Sequence, residues 1–217
     1  TGFLAALTAG TFTVDNKIRR DIVNTKSKDL DRITYFGEKF GRPIYASILS
    51  SALYTTGLII KNDDLREMGQ MLAEAMMCTG IFTILLKETV GRARPFTGES
   101  YQDLSLFEFE FAKSENSLPS GHTSLAFTVA TVLSERLNNI YVSLALYGMA
   151  SLTAYQRVYS DVHWFSDVLL GAALGTFIGL KVVNLHENPN SSEQNVNIRI
   201  VPKIQSKSYG MGFSLNF

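Results

Sequence analysis

Histidine occurs three times in this chain, at His122, His163 and His186, and two of these positions could put a proton to use. His122 ends the tetrapeptide Pro-Ser-Gly-His within "LPSGHTSLAF", directly ahead of an apolar run. His163 lies in "QRVYSDVHWFSD", after Arg157 and five intervening residues, with Asp167 four positions on. At helical spacing an acid four residues after a histidine shares its face and can reach a ring N–H. A third stretch, "KETVGRARPF", supplies Lys87 and, after six intervening residues, Arg94 and Pro95. Singly, each feature has an ordinary explanation: a helix cap, a satisfied histidine, or cations complementing the carbonyl end of a helix dipole.

Together they describe a site for a phosphate ester. Lys87, Arg94 and Arg157 offer fixed positive charge, and an arginine fork matches phosphate oxygens. The backbone N–H groups of Ser120, Gly121 and His122 open a helix and are expected to face the same anion, with Gly121 permitting close approach. Two histidines can divide the work of phosphoester cleavage: one attacks phosphorus while a carboxylate holds its other ring nitrogen, and the second protonates the leaving alkoxide. His163 with Asp167 fits the nucleophile, and His122 fits the acid. No cluster with metal-ligand spacing is present, and the scheme needs no metal.

Such a site requires elements that bring the stretches together. Residues 44–60 form an uncharged apolar run. From Met68, apolar residues recur at three and four positions toward Leu86 or Lys87, the stripe of an amphipathic helix. Further helices are expected from about Ser120, from Ile140 to near Arg157, and from Phe165 to Val183. "GFLAALTAGTFTV" and "DNKIRRDIVN" suggest one or two more at the start. Lys87 and Arg94 close one helix, Ser120 opens the next, Arg157 closes the one after, and His163 opens the last. In an up-and-down bundle with short connections, these junctions share one end. Residues 100–116 alternate apolar and acidic types and read as an extended or lid-like segment. After "NLHENPNSSEQN", the chain alternates like two short strands. The expected fold is an all-α bundle over 1–185, followed at 186–217 by a polar linker and a β-like hairpin.

Lysine plus arginine equals aspartate plus glutamate at 20 each, so no global charge draws nucleic acid. Cys78 is the single cysteine, which excludes an internal disulfide and reads as a small core residue. Arg92 reads as a surface neighbour or outer contact of the site, and His186 as a solvated linker residue. The chain opens on Thr1 without a visible signal peptide. Mean hydropathy is only +0.08, and serine, threonine and tyrosine interrupt the apolar runs. A soluble or peripherally attached protein is therefore expected over an integral one.

The three stretches in this order resemble the type 2 phosphatidic acid phosphatase and vanadium haloperoxidase superfamily. Its pattern is lysine, six residues, Arg-Pro; then Pro-Ser-Gly-His; then Ser-Arg, five residues, His, three residues, Asp. The resemblance covers about residues 87–167 and implies an all-helical fold. It implies that Lys87, Arg94 and Arg157 hold phosphate oxygens, assisted by Ser120 and Gly121. His122 would be the general acid, His163 the nucleophile forming a phosphohistidine, and Asp167 its partner. One position departs, since Gln156 stands where serine is usual. The implied function is metal-independent hydrolysis of a phosphomonoester or diphosphate, with a lipid phosphate as substrate and a site facing the periplasm or exterior. No cofactor is implied, although vanadate or phosphate can occupy such a pocket. A vanadium haloperoxidase and a non-catalytic phosphate or headgroup binder are the alternatives. Phosphatidate, phosphatidylglycerol phosphate, undecaprenyl diphosphate, lipid A and small esters all present the same group.

Overall fold

The computed structural model describes residues 14–98, 107, 116–188, 197–205 and 208–216. Among these residues seven α-helices follow in order: α1 (Asp15–Val23), α2 (Lys28–Phe40), α3 (Pro43–Ile60), α4 (Asp63–Val90), α5 (Gly121–Leu137), α6 (Ile140–Tyr159) and α7 (Phe165–Glu187). A short 3-10 turn, Pro95–Thr97, follows α4. Two strands, β1 (Asn197–Gln205) and β2 (Ser208–Asn216), pair antiparallel. The chain divides into two compact units, Thr1–Val183 and Asn184–Phe217. The all-α class with a C-terminal hairpin is as the sequence predicts. The "GFLAALTAGTFTV" stretch and nearly all of 100–116 lie outside the described residues.

Helix ends follow local chemistry. Asn62 caps α4 by accepting from the Leu65 N–H at 2.9 Å, so α4 begins five residues before Met68. Helix α2 has no counterpart in the expected elements. Ser27 caps it, accepting from the Leu30 N–H at 3.3 Å. His186 falls in the last turn of α7 rather than in a linker, and is half-buried.

Helix α5 is the central element, packing on α4 and α6, with buried residues along nearly its whole length. Its apolar side, Leu125, Val129, Val132 and Leu133, joins Met71, Leu72 and Ala75 of α4 and Ile178 and Val182 of α7 in one core. Its other contact with α7 is made of small residues. A Cβ added at Gly171 would stand 2.8 Å from the Ser120 carbonyl oxygen, and one at Gly175 would stand 2.0 Å from that of Ser124. Backbones this close are typical of helices that pack without a hydrophobic driving force between them.

The outward faces correct the expectation of a soluble or peripheral protein. Helices α3, α4 and α7 are each long and apolar enough to cross a bilayer, and only 17% of the α3 span is buried within the protein. Ile59 is 81% exposed, and Ile48, Met77, Ile81, Ile84 and Phe177 also point outward. An aqueous fold would bury these side chains, so the chain is an integral membrane protein. Overall hydropathy misleads because polar segments outside the spans dilute it. Hydroxyls inside the spans mislead because they are satisfied within the helix: Thr55 Oγ1 donates to the Ser51 carbonyl at 2.7 Å.

The α5–α7 contact yields a stability prediction. Gly175→Ala should destabilise the micelle-solubilised protein by about 1–3 kcal/mol or more, because a backbone carbonyl occupies the space. Gly148→Ala, on an exposed stretch of α6 with nothing within 4 Å, should be neutral or stabilising by up to about 1 kcal/mol. Thermal unfolding of the two variants side by side tests the pair.

Candidate active site

Helix α4 ends with Lys87 in its last turn. Gly91 stops the helix in the left-handed region at φ 56°, donating its N–H to the Lys87 carbonyl at 2.9 Å. The chain then runs through Arg92 and Ala93, which pair with the segment returning to α5. The Ser117 N–H donates to the Arg92 carbonyl at 2.7 Å, and Ser117 Oγ donates to the Ala93 carbonyl at 3.1 Å. Lys87 Nζ donates to the Asn116 carbonyl. These bonds close the base of the long excursion between α4 and α5, so a short connection is not needed to bring Lys87 and Arg94 toward Ser120.

Ser120 is fully buried ahead of α5, and its N–H donates to the Asp167 carbonyl at 3.1 Å. That bond ties the start of α5 to the start of α7. It also revises the expected cradle: the Ser120 N–H is committed, and the N–H groups of Gly121 and His122 in the first helical turn remain for an anion. Ser120 Oγ accepts from Thr123 Oγ1 at 3.0 Å. From the last turn of α6, the Arg157 carbonyl accepts the Val162 and His163 N–H groups at 3.2 and 3.3 Å, which sets His163 beside Arg157.

Lys87, Arg94, Arg157, His122, His163 and Asp167 thus share one neighbourhood, each within electrostatic reach of several others. Among the described residues, none of the three cations forms an ion pair with a carboxylate. The Nε atoms of Arg94 and Arg157 are closed off from solvent and bond to nothing. Half-buried cations without a counter-charge are costly unless an anion completes them. Gln156, where serine is usual, has its amide engaged at both ends: its nitrogen donates to Ser160 Oγ at 2.8 Å, and its oxygen accepts from Arg157 Nη1 at 3.3 Å.

His163 is buried, and its Nδ1 faces Asp167 Oδ2 at 3.5 Å, too long for a formed hydrogen bond, with no nearer partner. The other ring nitrogen, Nε2, is therefore on the opposite edge. Burial pushes the His163 imidazole down to about 3 against the upward pull of Asp167, so the ring is neutral at physiological pH. Burial, then the charges of Arg157 and Arg42, push His122 down to about 4. Both histidines are neutral in the empty site, and bound phosphate would raise His122 by opposing the nearby cations.

Asp15 was not singled out by sequence, and Arg92 only as a surface neighbour or an outer contact of the site. Arg92 is fully buried, not a surface neighbour. It donates to Asp167 Oδ1 at 2.7 Å, to Ser166 Oγ at 2.6 Å and to Asp15 Oδ2 at 2.7 Å. Trp164 contributes its N–H to Asp167 Oδ2 at 2.9 Å. The available signal was a second arginine two residues before Arg94; Asp15, on α1, carried none. Among the described residues no group of histidine, cysteine and carboxylates could hold a metal ion.

An all-helical body with these motifs at one end defines a class. A family model described as the PAP2 superfamily matches residues 70–191, more than half the sequence, and the chain belongs to that superfamily. It is 46% identical over 66 residues to the lipid A 1-phosphatase of Porphyromonas gingivalis, an alignment covering 30% of this chain and 15% of that protein. The chain thus spans well under half the length of this curated relative. The crystal structure of Aquifex aeolicus LpxE superposes with a TM-score of 0.59 at 26% identity, covering 79% of this chain and 95% of the other. A Bacillus subtilis structure, described as a transmembrane PAP2 type phosphatidylglycerolphosphate phosphatase, superposes with a TM-score of 0.66 at 22% identity, covering 86% and 93%.

Anion occupancy gives a prediction independent of turnover. Millimolar inorganic phosphate should raise the melting temperature of the native protein, because a ligand that binds only the folded state stabilises it by mass action. A variant carrying both Arg94→Ala and Arg157→Ala should lose that rise.

Proposed function

We propose that the chain is a metal-independent phosphatase acting on lipid phosphates through a phosphohistidine on His163. The observation that carries this reading is the set of unpaired cations Lys87, Arg94 and Arg157 grouped around two neutral histidines. Such a pocket is complementary to a dianion and surrounds the atoms needed to cleave it. A lipid substrate is supported by an apolar groove of about 290 Å³ that ends at His122 and Gly121 and is lined by Pro43, Met76, Thr83, Ile84 and Leu125. The groove adjoins the outward apolar face of α4, so an acyl chain could lie in it while its phosphate reaches the cations. The relative named as a lipid A 1-phosphatase points to the same substrate class.

In the proposed reaction, His163 Nε2 gives its electron pair to phosphorus. The bond from phosphorus to the ester oxygen breaks, and His122 supplies the proton that the leaving alkoxide takes up. Asp167 faces the developing imidazolium at Nδ1 and stabilises it. Water then attacks the phosphohistidine, giving its proton to His122, and His163 leaves as neutral imidazole with release of phosphate. No step calls on a metal.

His163→Ala should reduce phosphate release by about 10³-fold or more, whereas EDTA should leave the native rate unchanged. Release from a short-chain phosphatidate in detergent micelles measures both. Abolition by EDTA, or full activity in the variant, would sink this mechanism.

The pH profile follows from the protons required. The productive complex holds one proton between His122 and the phosphate, while His163 is unprotonated. Below about 4 His122 and the substrate are both protonated; above the substrate's second pKa, about 6, neither is. The kcat/KM of the native protein should therefore plateau between those limits, and His163 should impose a further loss only below about 3. A profile rising steadily through neutrality into alkaline pH would contradict this proton inventory.

A further inference from the structure

We infer that α1 is part of the active site: Asp15 and Arg19 are positioning residues that hold the 161–167 segment, and with it His163 and Asp167, against the anion pocket. The inference rests on the phosphatase reading and adds an element far ahead of the three motif stretches.

The Asp15 carboxylate is fully buried, and both of its oxygens are engaged. Oδ1 accepts the Ser166 N–H at 2.9 Å; Oδ2 accepts Ser166 Oγ at 2.6 Å and Arg92 Nη2 at 2.7 Å. The other terminal nitrogen of Arg92 holds Asp167 Oδ1 at 2.7 Å. With Oδ1 pinned, the second oxygen of Asp167 is turned toward the Trp164 N–H at 2.9 Å and toward His163 Nδ1 at 3.5 Å. Asp15 therefore acts on the carboxylate behind His163 through one guanidinium and one hydroxyl.

One turn along the same helix, Arg19 grips the other end of the segment. Its guanidinium takes both oxygens of Asp161, with Nη2 to Oδ2 at 2.7 Å. Asp161 sits in the left-handed region at φ 60°, a conformation uncommon outside glycine and tolerated by aspartate. Arg19 also lies 5.4 Å from the Trp164 ring centroid, as does Arg92. The residues on either side of His163 are thus each tied to α1 or to its partner Arg92. A buried ionic network is a weak source of stability compared with apolar packing of equal volume. Its placement directly behind the histidine assigns it a geometric task.

The test uses the full chain in detergent micelles with dioctanoyl phosphatidate as probe. Asp15→Asn should lower kcat by about 10- to 100-fold with KM changed less than about threefold, as expected for a group that orients a site residue without touching substrate. Asp167→Asn should lower kcat further, and the double variant should match Asp167→Asn within about twofold, because Asp15 acts through Asp167. Asp21→Asn, an exposed carboxylate on the same helix, should keep the native rate. If Asp15→Asn gives no cooperative melt, Ser166→Ala replaces it; that variant keeps every charge and should show a loss of about 3- to 10-fold with the same non-additivity. An unchanged kcat in folded Asp15→Asn, or losses that multiply in the double variant, overturns the clamp while the phosphatase reading stands. A native protein releasing no phosphate sinks that reading and the clamp with it.

Discussion

Arg92 is a fully buried cation between two fully buried carboxylates, Asp15 and Asp167, and the geometry of the histidine end of the molecule depends on that arrangement. Removing Arg92 would leave two carboxylates in the interior without their counter-charge, and breaking a buried pair in this way typically costs about 3–5 kcal/mol. The consequences spread along the backbone on both sides. The Arg92 carbonyl receives Ser117, the neighbouring Ala93 carbonyl receives Ser117 Oγ and the Trp164 indole N–H, and Asp167 receives Ser120 through its own carbonyl. One guanidinium thus aligns the end of α4, the approach to α5 and the start of α7.

The remaining cations of the site are treated in the opposite way. Arg92 is matched by carboxylates, whereas Lys87, Arg94 and Arg157 have none among the described residues. The distinction separates structure from chemistry. Neutralised charge fixes the frame, and charge without a carboxylate partner supplies the attraction for an anion on which the proposed function rests. Placing both kinds within a few residues of each other, at Arg92 and Arg94, lets a single turn after α4 serve frame and pocket together. The two neutral histidines complete the contrast, since a protonated ring in this surplus of positive charge would be disfavoured until an anion arrives.

Much of the site was legible because its chemistry depends on residue type and spacing. Lys87, Arg94, Ser120, His122, Arg157, His163 and Asp167 stand out as polar residues at the ends of apolar runs. The partners behind them were not legible. Asp15 reaches Ser166 across 151 positions, and no local pattern announces such a contact. Arg92 reads equally as a surface neighbour or an outer contact, and only its burial decides for the second. Helix α2 was obscured by its charge, because its apolar positions are few and its boundary rests on the Ser27 cap. The membrane assignment failed for a different reason. Averaged hydropathy counts hydroxyls as polar wherever they occur, but a threonine bonded to the carbonyl one turn back presents little unsatisfied polarity to hydrocarbon.

The distance in sequence between Asp15 and Ser166 also bears on how the molecule comes into being. Helix α1 is synthesised before the groups that bind its carboxylate, which come from the loop after α4 and from the first turn of α7. Arg19 likewise waits for Asp161, 142 positions later. Such long-range closures come late in folding, after the intervening helices have met. Until they close, the segment around His163 lacks the ties that Asp15 and Arg19 give it at Ser166 and Asp161. The arrangement around His163 is therefore complete only once parts of the chain 151 positions apart have met.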